Sequence, residues 1–279
     1  MTGSDVLLSV GSLSKTYTLP GGERLKAVDD VSFEIRRGGS LGIVGESGSG
    51  KTTVARMLVG LVTPDSGFIG VAGAPRYPEP PRPRRGLRGK SAARLRRARE
   101  IQIVFQDPYV SLDPRLTAAQ CLNSVLRLHG WRDRAAAARR VTELLTQVGL
   151  GAGEADARPH TMSGGQRQRL AIARALAVDP AVLVLDEAVA ALDVSIQAQI
   201  LTLLEEIRRE TGVALVFVSH DLAVVQHVTD DAVVMRNGRV VEQGPTRRVL
   251  DSPVDPYTQR LLASVPRLGW DPSTAASSR

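Results

Sequence analysis

Gly45-Glu46-Ser47-Gly48-Ser49-Gly50-Lys51-Thr52 is a complete G-x-x-x-x-G-K-[ST] string. Its glycines let a loop bend until backbone N–H groups converge on phosphate oxygens, and Lys51 then faces the β- and γ-phosphates. Thr52 offers a hydroxyl to Mg²⁺, a hard cation that prefers oxygen ligands. The candidate cradle therefore runs through Gly45, Ser47, Gly48, Ser49, Gly50, Lys51, Thr52 and Thr53. A second string, Ser163-Gly164-Gly165-Gln166, has the S-x-x-Q spacing of a capping box. It predicts a helix start with free N–H groups, where two glycines permit close approach by a backbone or a ligand. Alone it would be an ordinary cap; beside a phosphate loop it is a candidate nucleotide contact.

Acidic chemistry follows at Asp186-Glu187. One carboxylate can hold a metal while its neighbour polarises an attacking water. Without the phosphate loop, the pair would read equally well as acids at a helix N-terminus. Ser219-His220-Asp221 brings a serine, a histidine and an aspartate together, but consecutive residues cannot form a relay in which each group hydrogen-bonds the next. His220 is instead a candidate for the γ-phosphate.

These groups need elements to hold them. Leu41–Val44 reads as a short buried strand, and Val54, Met57, Leu58 and Leu61 recur at helical spacing behind the loop. Strand, glycine loop and helix form the setting that the first string requires. Ala181–Leu185 and Val213–Val218 are continuous apolar runs of the kind that become parallel strands buried on both faces. Asp186, Glu187 and His220 then fall at carboxyl strand ends, where open α/β sheets receive ligands.

With these motifs in this order, the chain resembles the ATP-binding-cassette (ABC) ATPases. More narrowly it is similar to ATPase subunits of bacterial oligopeptide, dipeptide and nickel importers. The narrower likeness rests on Val104-Phe105-Gln106-Asp107-Pro108-Tyr109, Ser111-Leu112-Asp113-Pro114-Arg115, the segment from Ser219 to Val225, and Asp255-Pro256-Tyr257-Thr258-Gln259. The resemblance implies an α/β P-loop (RecA-like) core, with an antiparallel β subdomain and an inserted helical subdomain. It divides the chain into a nucleotide core at 1–106 and 178–250, a helical signature subdomain at 107–177, and a C-terminal extension and tail at 251–279.

The resemblance also implies roles. Tyr17 would stack on adenine, although its spacing fits a strand residue equally well. Gln106 would sit at a hinge and sense Mg²⁺ and water, Asp186 would hold the metal with Thr52, Glu187 would be the general base, and His220 would sense the γ-phosphate. Asp193 would lie in a loop crossing a dimer interface. Two cassettes would face head to tail, each ATP lying between one subunit's phosphate loop and the other's Ser163-Gly164-Gly165-Gln166. Implied partners are two transmembrane permease subunits, a second ATPase subunit and, indirectly, an extracytoplasmic solute-binding protein, with the chain peripheral on the cytoplasmic face of the inner membrane. Departures from the family pattern are Ala190 for serine, Thr52 for serine, Thr161 and Met162 before the signature, and Asp255 for histidine; none removes a catalytic group. An iron–sulfur cysteine cluster found in some members is not expected, because Cys121 is the only cysteine.

Composition sets bounds. The 279 residues can bury one substantial core with an inserted subdomain. One cysteine excludes an intramolecular disulfide framework and suits a reducing compartment. No apolar run approaches the ~20 residues that span a bilayer, and no signal-peptide pattern opens the chain. The formal charge of +7 is concentrated between Arg76 and Arg99. This Pro-rich stretch reads as an irregular surface loop between two strands, entering a short helix before Ile101. It suits plain solvation or contact with anionic headgroups or membrane subunits; nucleic acid is disfavoured, since no aromatics are interleaved and no recognised DNA module is visible. Leu112–Leu150 is rich in helix formers, and the residues after Gly269 suggest a frayed tail. The rival functions are a soluble ABC ATPase of DNA repair or translation, and a binding module with dead chemistry. The first lacks its usual second cassette, coiled coils or zinc modules here, and the second is opposed by intact Lys51, Asp186, Glu187 and His220.

Overall fold

The computed structural model describes residues 5–78 and 95–264. Two sheets carry the strands. A four-stranded antiparallel sheet has the order β2 (Arg24–Arg36), β1 (Val6–Thr18), β4 (Ser66–Val71), β5 (Ala74–Tyr77). The six-stranded sheet runs β10 (Arg239–Pro245), β9 (Asp231–Arg236), β3 (Ser40–Val44), β8 (Ala214–Ser219), β7 (Val182–Asp186), β6 (Ile101–Phe105). From β9 to β6 its neighbours are parallel, and β10 joins antiparallel. Strands β3, β7 and β8 are buried at every position, as their unbroken apolar runs require when both faces are covered.

Side-chain alternation divides this sheet between two cores. Leu183, Leu185, Leu215 and Phe217 enter a cluster shared with the helices that follow β6. Val182, Val184, Ala214, Val216 and Val218 enter the other, shared with α1 (Lys51–Leu58) and the four-stranded sheet. Helix α1 is thus sandwiched between sheets, and the loop before it is held from both sides.

Between β6 and β7 the described elements are all helical. After a short helix at 95–100 (α2), the chain forms β6, a 3₁₀ turn at Pro108–Val110, α3 (Ala118–Leu128), α4 (Arg134–Gln147), α5 (Ala152–Ala155) and α6 (Gly164–Leu176). Helix α3 starts at a Thr117/Gln120 capping box and α4 at an Asp133 cap. Leu122, Leu126, Val141, Leu144, Leu145 and Val148 are buried between them, and Cys121 is buried in α3. Helix α7 (Val194–Thr211) follows β7, and α8 (Leu222–Val228) follows β8. The last described helices, α9 (Thr246–Asp251) and α10 (Pro256–Ala263), join α8 in a third cluster against β3 and β9.

Two local expectations need correction. Leu61 does not continue the α1 stripe: the helix stops at Leu58, Gly60 N–H closes the turn onto Met57 O, and Leu61 is left exposed. The basic stretch does not begin as irregular surface either. Pro75 and Arg76 belong to β5, an edge strand on which proline's missing N–H is tolerated. Arg76 is buried, donates to Leu58 O and Arg97 O, and pairs with Glu100 at 2.9 Å. The run from Arg82 to Arg94, and the tail after Gly269, lie outside the described residues.

Candidate active site

Sheet register brings the predicted groups to one edge. Val44 pairs with Ser219, Asp186 with Val218, and Phe105 with Asp186. The residues that follow these strand ends, Gly45, His220, Glu187 and Gln106, therefore emerge together at the carboxyl ends of adjacent parallel strands.

The phosphate loop depends on glycine at two points of close backbone contact. A Cβ on Gly45 would lie 2.2 Å from Met235 O, and one on Gly50 would lie 2.3 Å from Ala27 O; both residues also have φ values that L side chains rarely adopt. Gly50 is the N-cap of α1 and provides no side-chain cap. Among the described residues, the N–H groups of Lys51, Thr52 and Thr53 have no acceptor within the chain, so the positive end of α1 opens onto the loop. Ser49 Oγ is buried without a hydrogen-bond partner, and Ser47 and Gly48 form the outer bend.

Lys51 is the buried cation of this loop. Its Nζ donates to Gly45 O at 2.7 Å and to Glu46 O at 2.8 Å. Burial pulls its pKa below the usual lysine value, while the Glu187, Asp186 and Glu46 carboxylates act in the opposite direction. Thr52 Oγ1 donates to Asp186 Oδ1 at 3.3 Å. Burial pushes the Asp186 carboxyl up, and the Thr52 hydrogen bond partly offsets it. Thr52 and Asp186 thus present two adjacent oxygen donors, half enclosed, beside a buried cation. Among the described residues no three His, Cys, Asp or Glu side chains form a metal cage. A pair of oxygens suits Mg²⁺, which usually completes its shell with waters and substrate phosphates.

Glu187 sits just beyond β7 at φ 50, a left-handed conformation that costs a non-glycine residue about 1 kcal/mol or more. Its N–H donates to Val218 O at 2.9 Å, which fixes this turn against β8. Its Oε1 lies 3.3 Å from His220 Nδ1. Two groups separated by 33 residues are so brought into contact. Asp221 is occupied elsewhere, accepting from Ala223 N–H and Val224 N–H as the cap of α8, and Ser219 Oγ accepts from Asp221 N–H. The three consecutive residues form no relay.

Tyr17 is a strand residue of β1, paired with Leu25, and the neighbouring pair is Thr16 with Lys26. These partners adjoin Ala27, whose carbonyl lies close to Gly50, and Lys15 Nζ is 5.8 Å from the Tyr17 ring centroid. Gln106 is exposed after β6. Ser163 caps α6 by accepting from Gln166 N–H, while Gln166 Oε1 accepts from Ser163 N–H, and Gln166 also donates to Glu154. The structure does not join this segment to its own phosphate loop by any hydrogen bond among the described residues. Gly164 and Gly165 face Leu192 and Ile196 instead. Asp193 has a local role that spacing did not reveal: it caps α7, accepting from Ile196 N–H and Ser195 Oγ, and these bonds hold its carboxyl below the usual range. Tyr257 was legible only as part of a C-terminal string, yet its hydroxyl accepts from Glu46 N–H. No local pattern could report a contact across 211 residues.

The loop, the helix that follows it and the acid-ended parallel strand β7 of the same sheet define the chain as a P-loop NTPase. Residues 28–190 match the ABC transporter family model, and residues 241–277 match the model described as the oligopeptide/dipeptide transporter C-terminal region. The chain is 47% identical to the Sinorhizobium fredii protein named "Probable peptide ABC transporter ATP-binding protein y4tS", over 94% of this chain and 73% of that protein. It is 44% identical to the glutathione import ATP-binding protein GsiA of Salmonella typhimurium, over 93% of this chain and 41% of that longer protein. Similar solved structures include cbiO1 of Clostridium perfringens, part of the complex cbiONQ (29% identity, TM-score 0.75, 89% of this chain and 92% of that one). Another is the dimeric ATP-binding cassette MJ0796 with ADP and Pi (28% identity, TM-score 0.73, 86% and 99%). The chain belongs to the ABC transporter family, and it is an ATPase.

Proposed function

We propose that this ATPase powers a bacterial importer of peptides or a related solute such as nickel. The observation that carries the reading is the shared strand edge, where Lys51, Thr52, Asp186, Glu187 and His220 come together from three parallel strands. The match of residues 241–277 to the peptide-transporter C-terminal region supports the solute class, as do the peptide and glutathione importers among the relatives. It favours transport over the soluble DNA-repair or translation alternative.

Each residue then has a task. The uncapped N–H groups at Lys51–Thr53 and the Lys51 ammonium bind the ATP phosphates, and Tyr17 supports the adenine. Thr52, Asp186 and Gln106 would hold Mg²⁺, which when bound supplies positive charge to the phosphate oxygens. Glu187 accepts the proton of the attacking water, and His220, against Glu187 Oε1, contacts the γ-phosphate. Ser163–Gln166 serve the ATP of a facing cassette, a reading supported by the lack, among the described residues, of any hydrogen bond from them to their own loop; Asp193 lies beside them. The nucleotide core at 1–106 and 178–250, the helical part at 107–177 and the extension at 251–279 are the corresponding units. No helix among the described residues is long and apolar enough to cross a membrane. Two permease subunits and a solute-binding protein would provide passage and selection, with the ATPase peripheral on the cytoplasmic face.

The test is solute uptake in vesicles carrying the assembled transporter, with ATP inside. Uptake of peptides dependent on this subunit is expected; ATP hydrolysis by the chain with no association with permeases would favour the soluble alternative.

Tyr109 is the expected coupling contact. It lies in the 3₁₀ turn after Gln106, is 44% exposed, and carries the Arg167 guanidinium 4.7 Å from its ring centroid. An exposed cation–π pair contributes about 0.5–1 kcal/mol, so Tyr109→Ala should leave the subunit folded with near-normal ATP binding. Assembly with permease subunits should weaken, because a half-exposed tyrosine is a favoured interface anchor. A pull-down beside a thermal melt decides: intact assembly with a large fall in Tm would assign Tyr109 to packing.

A further inference from the structure

Helix α10 meets the phosphate loop at a polar atom, the Tyr257 hydroxyl. Glu46 N–H donates to Tyr257 Oη at 3.1 Å. On its other side the same residue's carbonyl accepts from Lys51 Nζ at 2.8 Å and from Ser49 N–H at 3.2 Å. The orientation of the Glu46 backbone therefore bears on where the Lys51 ammonium rests.

The phenol is fixed from several directions. Tyr257 is 4% exposed, within the cluster of Val44, Leu222, Val225, Val234 and Val249. The Arg236 guanidinium lies 4.9 Å from its ring centroid, next to Met235, whose carbonyl abuts Gly45. Asp255 accepts from Tyr257 N–H at 2.7 Å, and Glu242 on β10 accepts from the N–H groups of Val254 and Asp255. A continuous set of bonds thus leads from β10 through the first turn of α10 to the loop.

We propose that Tyr257 is a positioning residue for nucleotide binding, its hydroxyl holding the Glu46 peptide and thereby the Lys51 ammonium in the geometry that receives phosphate. This rests on the reading of the loop as the ATP phosphate site. It makes the segment beyond the nucleotide core part of the device that sets ATP affinity.

Tyr257→Phe keeps the buried ring and removes only the acceptor. In the full chain, KM for ATP and Kd for MgATP should rise about fivefold, as loss of one hydrogen bond to a buried group implies, with kcat within about twofold of wild type. The rise in melting temperature on adding MgATP should shrink accordingly. Leu261→Ala is the control, since Leu261 packs against the same cluster and has no polar side-chain atom to hold the loop; it should lower the melting temperature and leave KM unchanged. Wild-type KM and Kd in Tyr257→Phe, or an equal rise in KM from Leu261→Ala, would overturn the positioning role. A wild-type chain that fails to bind MgATP would instead overturn the function on which the inference rests.

Discussion

Glu187→Gln should lower kcat by at least about a hundredfold while MgATP affinity stays near that of the wild type. General base catalysis contributes about 10²–10⁴ in rate, and glutamine retains the size of the side chain without a proton-accepting carboxylate. Nothing in the phosphate cradle changes, because Lys51, Thr52 and Asp186 keep their mutual contacts. The strained φ of Glu187 is set by the Glu187 N–H bond to Val218 O, a backbone interaction that glutamine preserves. The substituted chain should therefore bind ATP and persist as an ATP-bound closed dimer. Single-turnover hydrolysis and nucleotide binding measured side by side provide the check. Loss of affinity with hydrolysis per bound ATP unchanged would make Glu187 a binding residue instead.

Lys51→Ala should act on the opposite parameter. It deletes a buried cation beside the phosphate loop and its two bonds to Gly45 O and Glu46 O. Hydrogen bonds involving charged groups contribute about 1.5–3 kcal/mol each, so losing contact with two phosphates should weaken MgATP binding by a hundredfold or more, roughly. Calorimetric titration with MgATP measures this directly. An affinity equal to wild type would contradict the assignment of the loop. Together the two substitutions separate binding from chemistry, which a single inactive variant cannot do.

The motifs were legible because each depends on local geometry. The turn after β3 needs glycine where Gly45 and Gly50 meet backbone carbonyls, and the start of α6 needs Ser163 and Gln166 three residues apart. Unbroken apolar runs marked β3, β7 and β8, since parallel strands covered on both faces leave no polar side. Boundaries were less legible. Leu61 continues the helical spacing but falls past the turn that ends α1, and Arg76 looks like solvated charge yet is buried against Leu58 O and Glu100. In both cases a tertiary contact or a backbone turn outweighed the local pattern.

By itself the sequence determined the local motifs: a phosphate loop, an adjacent carboxylate pair and a capped glycine helix, all set by spacings of a few residues. Only the tertiary structure decided which groups meet. The parallel register carries Glu187 to His220 and Thr52 to Asp186 across gaps of 33 and 134 residues. The same holds for Tyr257, whose hydroxyl reaches Glu46 because α10 packs on β3 and β9. Spacing encodes turns and caps because they involve near neighbours, whereas contacts between distant segments follow from how the sheet buries its two faces.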